Sequence, residues 1–453
     1  MKWLSGFWRK LSGVKFRRMS RFGKPLIFGL ASILLILFLG QQGQVNKIRD
    51  GDLQNNNNTG QASQPALSGA DLDRLPFVTG VYESAMPDEA GIKRLDEIAR
   101  LNLDLIINYD LNCGSVNQIT SYLDAAAARK IKVIFPLQDI YYGKTGWPFC
   151  FENQPWYNKS LDNHALEEAL VQGYIKQFGS HPALWGWYID DEEPLIMIDR
   201  LRQRQALVKQ LDPLHPTLAV KDDPEKFAAF RNTADLFGTD SYPVPYNPVS
   251  QVADWVDTAR DNLGPNNITV IQTFSWEWAK EPWQPYPGSY PSYNQIRSMA
   301  YLGVNHGSRG LLFYSFFEIK RNGSAAEQQQ RLEALGTLTA ELRKLEQEGV
   351  FKVSPQRPGG VTASSLGETL DYAVWDTGKV VYLIAVNLNR YNPPVKVSYQ
   401  GQVWTYLPQD VTFQLSFVPS RIEVSGENRT FNAHFTFTDH FEPNEVHIYK
   451  IIK

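Results

Sequence analysis

From residue 77 onward the chain alternates between two hydrophobic rhythms. Short apolar runs, suited to strands buried on both faces, are each followed by a stretch whose apolar residues recur three and four apart, as on a helix. The runs are Phe77–Tyr82, Leu103–Tyr109, Lys132–Leu137, Ala183–Asp190, Pro216–Val220, Leu236–Asp240, Ile268–Phe274 and Gly310–Phe316. The helical stretches are Asp88–Leu101, Val116–Arg129, Asn163–Phe178, Ile196–Leu211, Glu225–Arg231, Val252–Asn262, Tyr293–Gly303 and Ala325–Glu348. Eight strand–helix units over 76–350 predict an α/β fold, a (β/α)8 TIM barrel. A doubly wound open sheet is the competing topology. It seldom needs eight regular units, and no G-x-G-x-x-G loop follows the first strand.

After Val350 the rhythm changes to period two. Val361–Thr362, Tyr372–Trp375, Val380–Asn387, Val395–Tyr399, Val411–Leu415, Arg421–Val424, Ala433–Phe437 and Val446–Ile452 are short strands parted by turn residues. They predict an antiparallel β-sandwich over 351–453.

Ahead of the barrel the pattern is of another kind. Residues 1–24 carry eight Lys and Arg and no acid, and no charge occurs between Lys24 and Lys47. Leu26–Leu39 is almost wholly apolar, so 25–46 is long enough to cross a bilayer as a helix. The basic side belongs in the cytoplasm, which puts the body outside, at the cell surface or in the periplasm. A transmembrane signal-anchor is the expectation. The rival is a cleaved signal peptide, although Phe38 and Leu39 leave no small-residue cleavage site before Gln41. Residues 47–75, rich in Asn, Gln, Gly and Ser, read as a flexible linker.

Charge and cysteine content narrow the partners. The whole chain carries −3 and the leader +8, which leaves −11 on the rest. An acidic body without a basic stripe argues against nucleic acid. Cys113 and Cys150 are the only cysteines, so no disulfide framework is indicated, and their spacing leaves a single bridge undecided. Aromatic residues make up 13% of the chain, a supply equally suited to a large core and to platforms for sugar rings.

Candidate chemistry lies where the strands end, because a barrel of this type works at its C-terminal rim. The fourth run reads Trp185-Gly186-Trp187-Tyr188-Ile189-Asp190-Asp191-Glu192-Glu193-Pro194 and stops in four adjacent carboxylates. Like charges so close oppose one another's ionisation, so stability alone would rarely place them there. Other rim residues are Tyr82 and Glu83, Asn108, Tyr109 and Asp110, Gln138 and Asp139, and Lys221, Asp222 and Asp223. The later strands add Asp240 and Tyr242, Glu277 and Trp278, and Tyr314 and Glu318. Acids, amides and aromatics without a Cys/His cluster suit carbohydrate chemistry, for which no cofactor or metal is required. Glycosidic cleavage needs two carboxyl groups across the sugar, one as acid and one as nucleophile or base. The fourth and seventh strands lie on opposing arcs of the rim and supply Glu192 or Glu193 and Glu277.

The segment His181 to Pro194 resembles the fourth strand of clan-A-type (β/α)8 glycoside hydrolases, where a Glu before Pro is the acid/base. Asp235 to Pro243 and Gly307 to Ser315 are similar to their sixth and eighth strands, and a C-terminal sandwich accompanies many of them. The resemblance implies that Glu277 is the nucleophile and that the anomeric configuration is retained. In a hydrolase scheme Asp191 would orient the acid, Asp240 and Tyr242 would contact the sugar or shape the cleft floor, and the rim residues Tyr82, Asn108, Trp278 and Tyr314 are further candidates for the sugar site. This chain has two Glu before the Pro. Strand alternation favours Glu192 and counting back from Pro194 favours Glu193.

Blander readings compete. The acidic run also fits a solvated turn or a Ca²⁺ site, though the loop spacing of one is absent. Glu277 fits a salt-bridged or simply exposed rim residue. Trp147, Trp156 and Trp283 are loop aromatics that would stack on sugars or simply pack, Trp185 and Trp187 suit the core or the cleft wall, and His306 suits packing beneath the barrel. A glycoside hydrolase is the principal expectation. A non-catalytic polysaccharide-binding surface protein of envelope or capsule assembly is the alternative.

Overall fold

The computed structural model describes residues 75–144, 150–276, 290–365, 369–391, 395–396 and 402–453. All of them belong to one compact unit beginning at Pro65. The leader 1–24, the apolar segment 25–46 and nearly all of the linker lie outside the described residues. Among the described residues no helix is long and apolar enough to cross a membrane.

Eight parallel strands close into a barrel in sequence order. They are β1 (Val78–Glu83), β2 (Leu105–Asn108), β3 (Lys132–Pro136), β4 (Leu184–Asp191), β5 (Thr217–Lys221), β6 (Leu236–Thr239), β7 (Asn267–Gln272) and β8 (Gly310–Tyr314). Closure is made by β8 against β1, with Gly310 beside Val78. The helices are α1 (Glu89–Arg100), α2 (Val116–Ala128), α3 (Asn163–Phe178), α4 (Ile198–Leu211), α5 (Gln251–Leu263), α6 (Tyr293–Asn305), the short α7 (Phe316–Ile319) and α8 (Ala325–Gln347).

Local chemistry explains why the helix starts were readable. Asp88 and Asp162 accept hydrogen bonds from backbone N–H groups of the first turns of α1 and α3. Ser115 with Gln118, Ser292 with Gln295 and Ser324 with Glu327 form reciprocal caps at the starts of α2, α6 and α8. Departures from expectation include two in the barrel. The segment after β5, Pro224–Phe230, is a 3₁₀ helix instead of an α-helix. The eighth strand ends at Tyr314, because the Ser315 hydroxyl caps the Glu318 N–H and starts α7.

The C-terminal part packs a five-stranded sheet, β10-β11-β18-β15-β16, with a three-stranded sheet, β17-β14-β9, around Leu383, Phe413 and Tyr449. These strands are β9 (Val361–Ala363), β10 (Leu370–Asp376), β11 (Val380–Asn387), β14 (Gln409–Leu415), β15 (Arg421–Val424), β16 (Arg429–Phe431), β17 (Thr436–Phe441) and β18 (Val446–Ile452), and a separate β12 (Val395–Lys396) pairs with β13 (Gln402–Val403). The strand expected at Ala433–Phe437 is displaced to β17. Its inward row runs through Asp439, a charge that breaks an apolar pattern. The charge is tolerated there because the Tyr449 hydroxyl donates to it at 2.8 Å, His447 lies 2.8 Å away and Arg429 pairs with it.

The sheets brace the underside of the barrel through α6. Ser298 donates to the Asn444 carbonyl at 2.7 Å, and Asn305 donates to Asp371 at 2.9 Å. His306 is buried between Asp257 at 2.8 Å and Asp371 at 2.9 Å. Those carboxylates hold the imidazole above its ordinary range against the opposing effect of burial. A disulfide joins Cys113, after β2, to Cys150 in the long β3–α3 connection, with the Cα atoms 4.7 Å apart. It settles the pairing that spacing left undecided.

Candidate active site

Strand alternation sets the barrel's inner surface. Val78 and Tyr82, Leu105 and Ile107, Leu218 and Val220, Ile268 and Val270, and Leu312 all join one interior cluster. Toward the C-terminal ends this lining becomes phenolic. Tyr82 contacts Tyr109, Tyr188 and Tyr314 at ring-centre distances of 5.5, 6.1 and 5.3 Å. Tyr242 sits 5.7 Å from Tyr314 and 6.3 Å from Trp276. The result is a floor of tyrosines beneath the rim.

The four consecutive acids separate above this floor. Between Tyr188 and Asp190 the register against β5 shifts, a β-bulge at Ile189. The carbonyl of Ile189 accepts a 3.0 Å hydrogen bond from the buried Tyr141 hydroxyl. Tyr188 pairs with Leu218 and Asp191 with Val220, both inward positions, so the bulge turns Tyr188 and Asp191 to the same side. Burial first and the Asp191 charge second push the phenols of Tyr82, Tyr109 and Tyr188 far above their ordinary range. Asp190 is turned from the cavity and fully buried, and it is matched by Lys221 at 2.5 Å.

Glu192 follows with a left-handed backbone, φ 57°, an uncommon conformation for a residue with a Cβ. Its N–H is tied to the Val220 carbonyl at 2.9 Å, and its carboxyl shares a side-chain hydrogen bond with Asp240 at the end of β6. Glu193 goes elsewhere, into an ion pair with Lys144 of the β3–α3 connection. Glu192 is therefore the member of the pair that meets the sixth strand. The acids diverge to separate partners instead of converging as oxygen ligands. Among the described residues no cluster of three or more His, Cys, Asp or Glu is placed to hold a metal ion.

Burial dominates the electrostatics of the Glu192–Asp240 pair. Glu192 is raised by burial, with Asp240's hydrogen bond opposing and the charges of Asp191 and Asp222 adding to the rise. Asp240 is raised as well, by burial and then by the charge of Glu192.

Several expected site residues have other places. Asn108 projects from the outer face of β2. Its amide donates to the Ala85 carbonyl at 2.8 Å and accepts from Ala85 and Asp110 N–H, so it ties two rim loops and is not part of the cavity lining. The reason is alternation: Ile107 and Tyr109 take the inward positions of this strand. Trp156 packs against Tyr174 of α3 at 5.0 Å, and Trp187 is buried with its indole N–H on Asp212. Glu83 is buried and doubly bonded to Arg94 at 2.7 and 2.9 Å. Glu277, Trp278, Trp147 and Trp283 lie outside the described residues. Lys144 was missed because it sits in a loop without a motif. Tyr188 was missed because it looks like core in an aromatic run. One further rim acid, Glu318 of α7, is buried and raised to about 7 by burial, against the pull of Arg321.

The architecture has counterparts among solved structures. A structure described as a glycoside hydrolase superposes with a TM-score of 0.53 at 11% identity, covering 83% of this chain and 92% of its own. A glycoside hydrolase family 5 protein from Bacteroides vulgatus gives 0.52 at 11% identity, over 84% of this chain and 89% of its own. The fold is one that glycoside hydrolases use. An AmyP variant in complex with maltotriose gives 0.51 at 10% identity, over 85% and 98%. No family model matches the chain. No curated protein matches it either.

Proposed function

We propose that this chain is a glycoside hydrolase that cleaves an oligo- or polysaccharide with two carboxyl groups and retains anomeric configuration. Glu192 serves as general acid/base. Glu277, carried beyond the end of β7, serves as nucleophile. Asp191 orients the acid from below, and Tyr82, Tyr242 and Tyr314 form the surface under the sugar. The observation that carries this reading is a raised carboxyl, Glu192, at the C-terminal mouth of the barrel over a floor of phenols. A general acid needs to hold its proton near working pH, and burial beside other acids provides that. Asp240 is not the opposing carboxyl, because two groups in hydrogen-bond contact leave no room for a sugar, which requires about 5–5.5 Å in a retaining enzyme.

Glu277→Gly should abolish turnover of an aryl glycoside. Added azide should restore it, giving a glycosyl azide of opposite anomeric configuration. Full activity in this variant would remove Glu277 from the scheme. Binding across a polysaccharide array with no turnover of any substrate would favour the non-catalytic alternative.

The body is proposed to work outside the cytoplasm, held by the apolar segment 25–46. The basic residues 1–24 support that orientation, and the Cys113–Cys150 bridge is of the kind that persists in oxidising compartments. Protease added to intact cells should release the body by cutting within 47–75. Complete protection of a cell-associated body would count against this placement.

A further inference from the structure

We propose that Asp240 is a positioning residue that works as a carboxylic acid, donating a hydrogen bond to one oxygen of Glu192 and aiming the other at the glycosidic oxygen. The inference rests on the hydrolase reading for its catalytic consequence, but its chemical content stands on the geometry.

β4 and β6 are separated by β5, so they are not paired and their side chains meet across the barrel interior and at its mouth. The left-handed turn at Glu192 and its N–H bond to Val220 bring it there, and Asp240 follows β6 directly, 4% exposed. Two carboxyl groups in hydrogen-bond contact need a proton between them, because two carboxylates would repel. Among the described residues no nearby lysine takes that role. Lys221 is committed to Asp190 at 2.5 Å and Lys144 to Glu193, while the charges of Asp191 and Asp222 raise Glu192 further. A proton on Asp240 removes its charge instead and leaves at most one charge on the pair. Asp240 also has one buried oxygen, Oδ1, with no hydrogen-bond partner among the described residues, and a neutral acid bears that more readily than a carboxylate.

In the first half-reaction Glu192 gives its proton to the glycosidic oxygen as the Glu277 carboxylate bonds to the anomeric carbon, the C–O bond breaks and its electron pair passes to that oxygen. The Glu192 carboxylate that forms is met by the O–H of Asp240, whose proton stays in place. In the second half Glu192 takes a proton from water as the water oxygen bonds to the anomeric carbon and the bond from that carbon to Glu277 breaks, its electron pair returning to the Glu277 carboxylate. Asp240 is again the donor behind it.

The test compares Asp240→Ala with Asp240→Asn in the full chain, since an amide N–H can still donate to Glu192. A hydrogen bond to a charged group corresponds to roughly ten- to hundredfold in rate. The Ala variant should lose about that in kcat/KM on glycosides with poor leaving groups and much less on dinitrophenyl glycosides, which need no protonation. Without the donor, Glu192 should hold its proton to higher pH, so the basic limb of the Ala profile should move up by about one unit. Asp240→Asn should recover roughly tenfold or more of the lost rate and bring the basic limb back toward its wild-type position. Equal losses on both leaving groups, or an Asn variant as impaired as Ala, would overturn the proposal. A substrate-free measurement separates this from the hydrolase reading. The infrared difference between wild type and Asp240→Asn at neutral pH should contain a protonated-carboxyl C=O band. Its absence refutes the proposal even if the enzyme is active, and its presence upholds the protonated acid even if no substrate is found.

Discussion

Glu192→Gln should lower kcat/KM on substrates with poor leaving groups by roughly 10²–10⁴-fold, the range expected for losing a general acid/base. Glutamine keeps the size and the left-handed backbone but has no proton to give. Glu193→Gln should cost much less, because that side chain is spent on Lys144 and reaches activity only by loosening the β3–α3 connection. Steady-state kinetics on a leaving-group series checks both. If Glu193→Gln proved the more damaging, the acid would be misassigned. The contrast is informative because the two residues are chemically identical neighbours. Only the backbone turn at Glu192 separates their roles.

Lys221→Met should destabilise the fold by about 3–5 kcal/mol, the usual cost of leaving one member of a buried ion pair alone. Lys221 and Asp190 are both buried. The ammonium also reaches the Glu193 carbonyl at 3.1 Å and lies 3.8 Å from the Phe230 ring centre. Asp190 is already raised by burial, and Lys221 is the first influence opposing that rise. Without it the carboxyl takes up a proton at higher pH in the folded state than in the unfolded chain. The variant should therefore lose stability as pH rises from the ordinary carboxylate range, near 3.9, through that raised value. Adding Asp190→Asn should recover much of the loss, because an amide needs no counter-charge. Denaturant midpoints for the single and double variants across pH measure this. A single variant as stable as wild type would show that the pair carries no weight.

Those two substitutions bear on the part of the site that was hardest to read from the chain. The acidic run announced itself as a place of function because adjacent carboxylates at a strand end work against stability. What each acid does was not readable, since period two predicts one alternation and the bulge at Ile189 replaces it with another. Asn108 shows the same gap from the opposite side. Its place at a strand end looked like a sugar contact, yet its inward or outward facing depended on the register of β2 against its neighbours. In the C-terminal sheets, Asp439 interrupted the apolar pattern of a strand that continues through it, because partners from β16 and β18 compensate the charge.

The sequence by itself determined the eight-unit barrel, the start of nearly every helix and the position of the acid-rich rim. Periodicity and N-terminal capping act over a few residues, so the chain states them directly. The tertiary structure alone decided that Glu192 faces Asp240, that Glu193 answers to Lys144 and that the phenols of five strand ends make one floor. Each of those depends on groups that are distant in sequence and are brought within hydrogen-bond or ring contact only when the barrel closes.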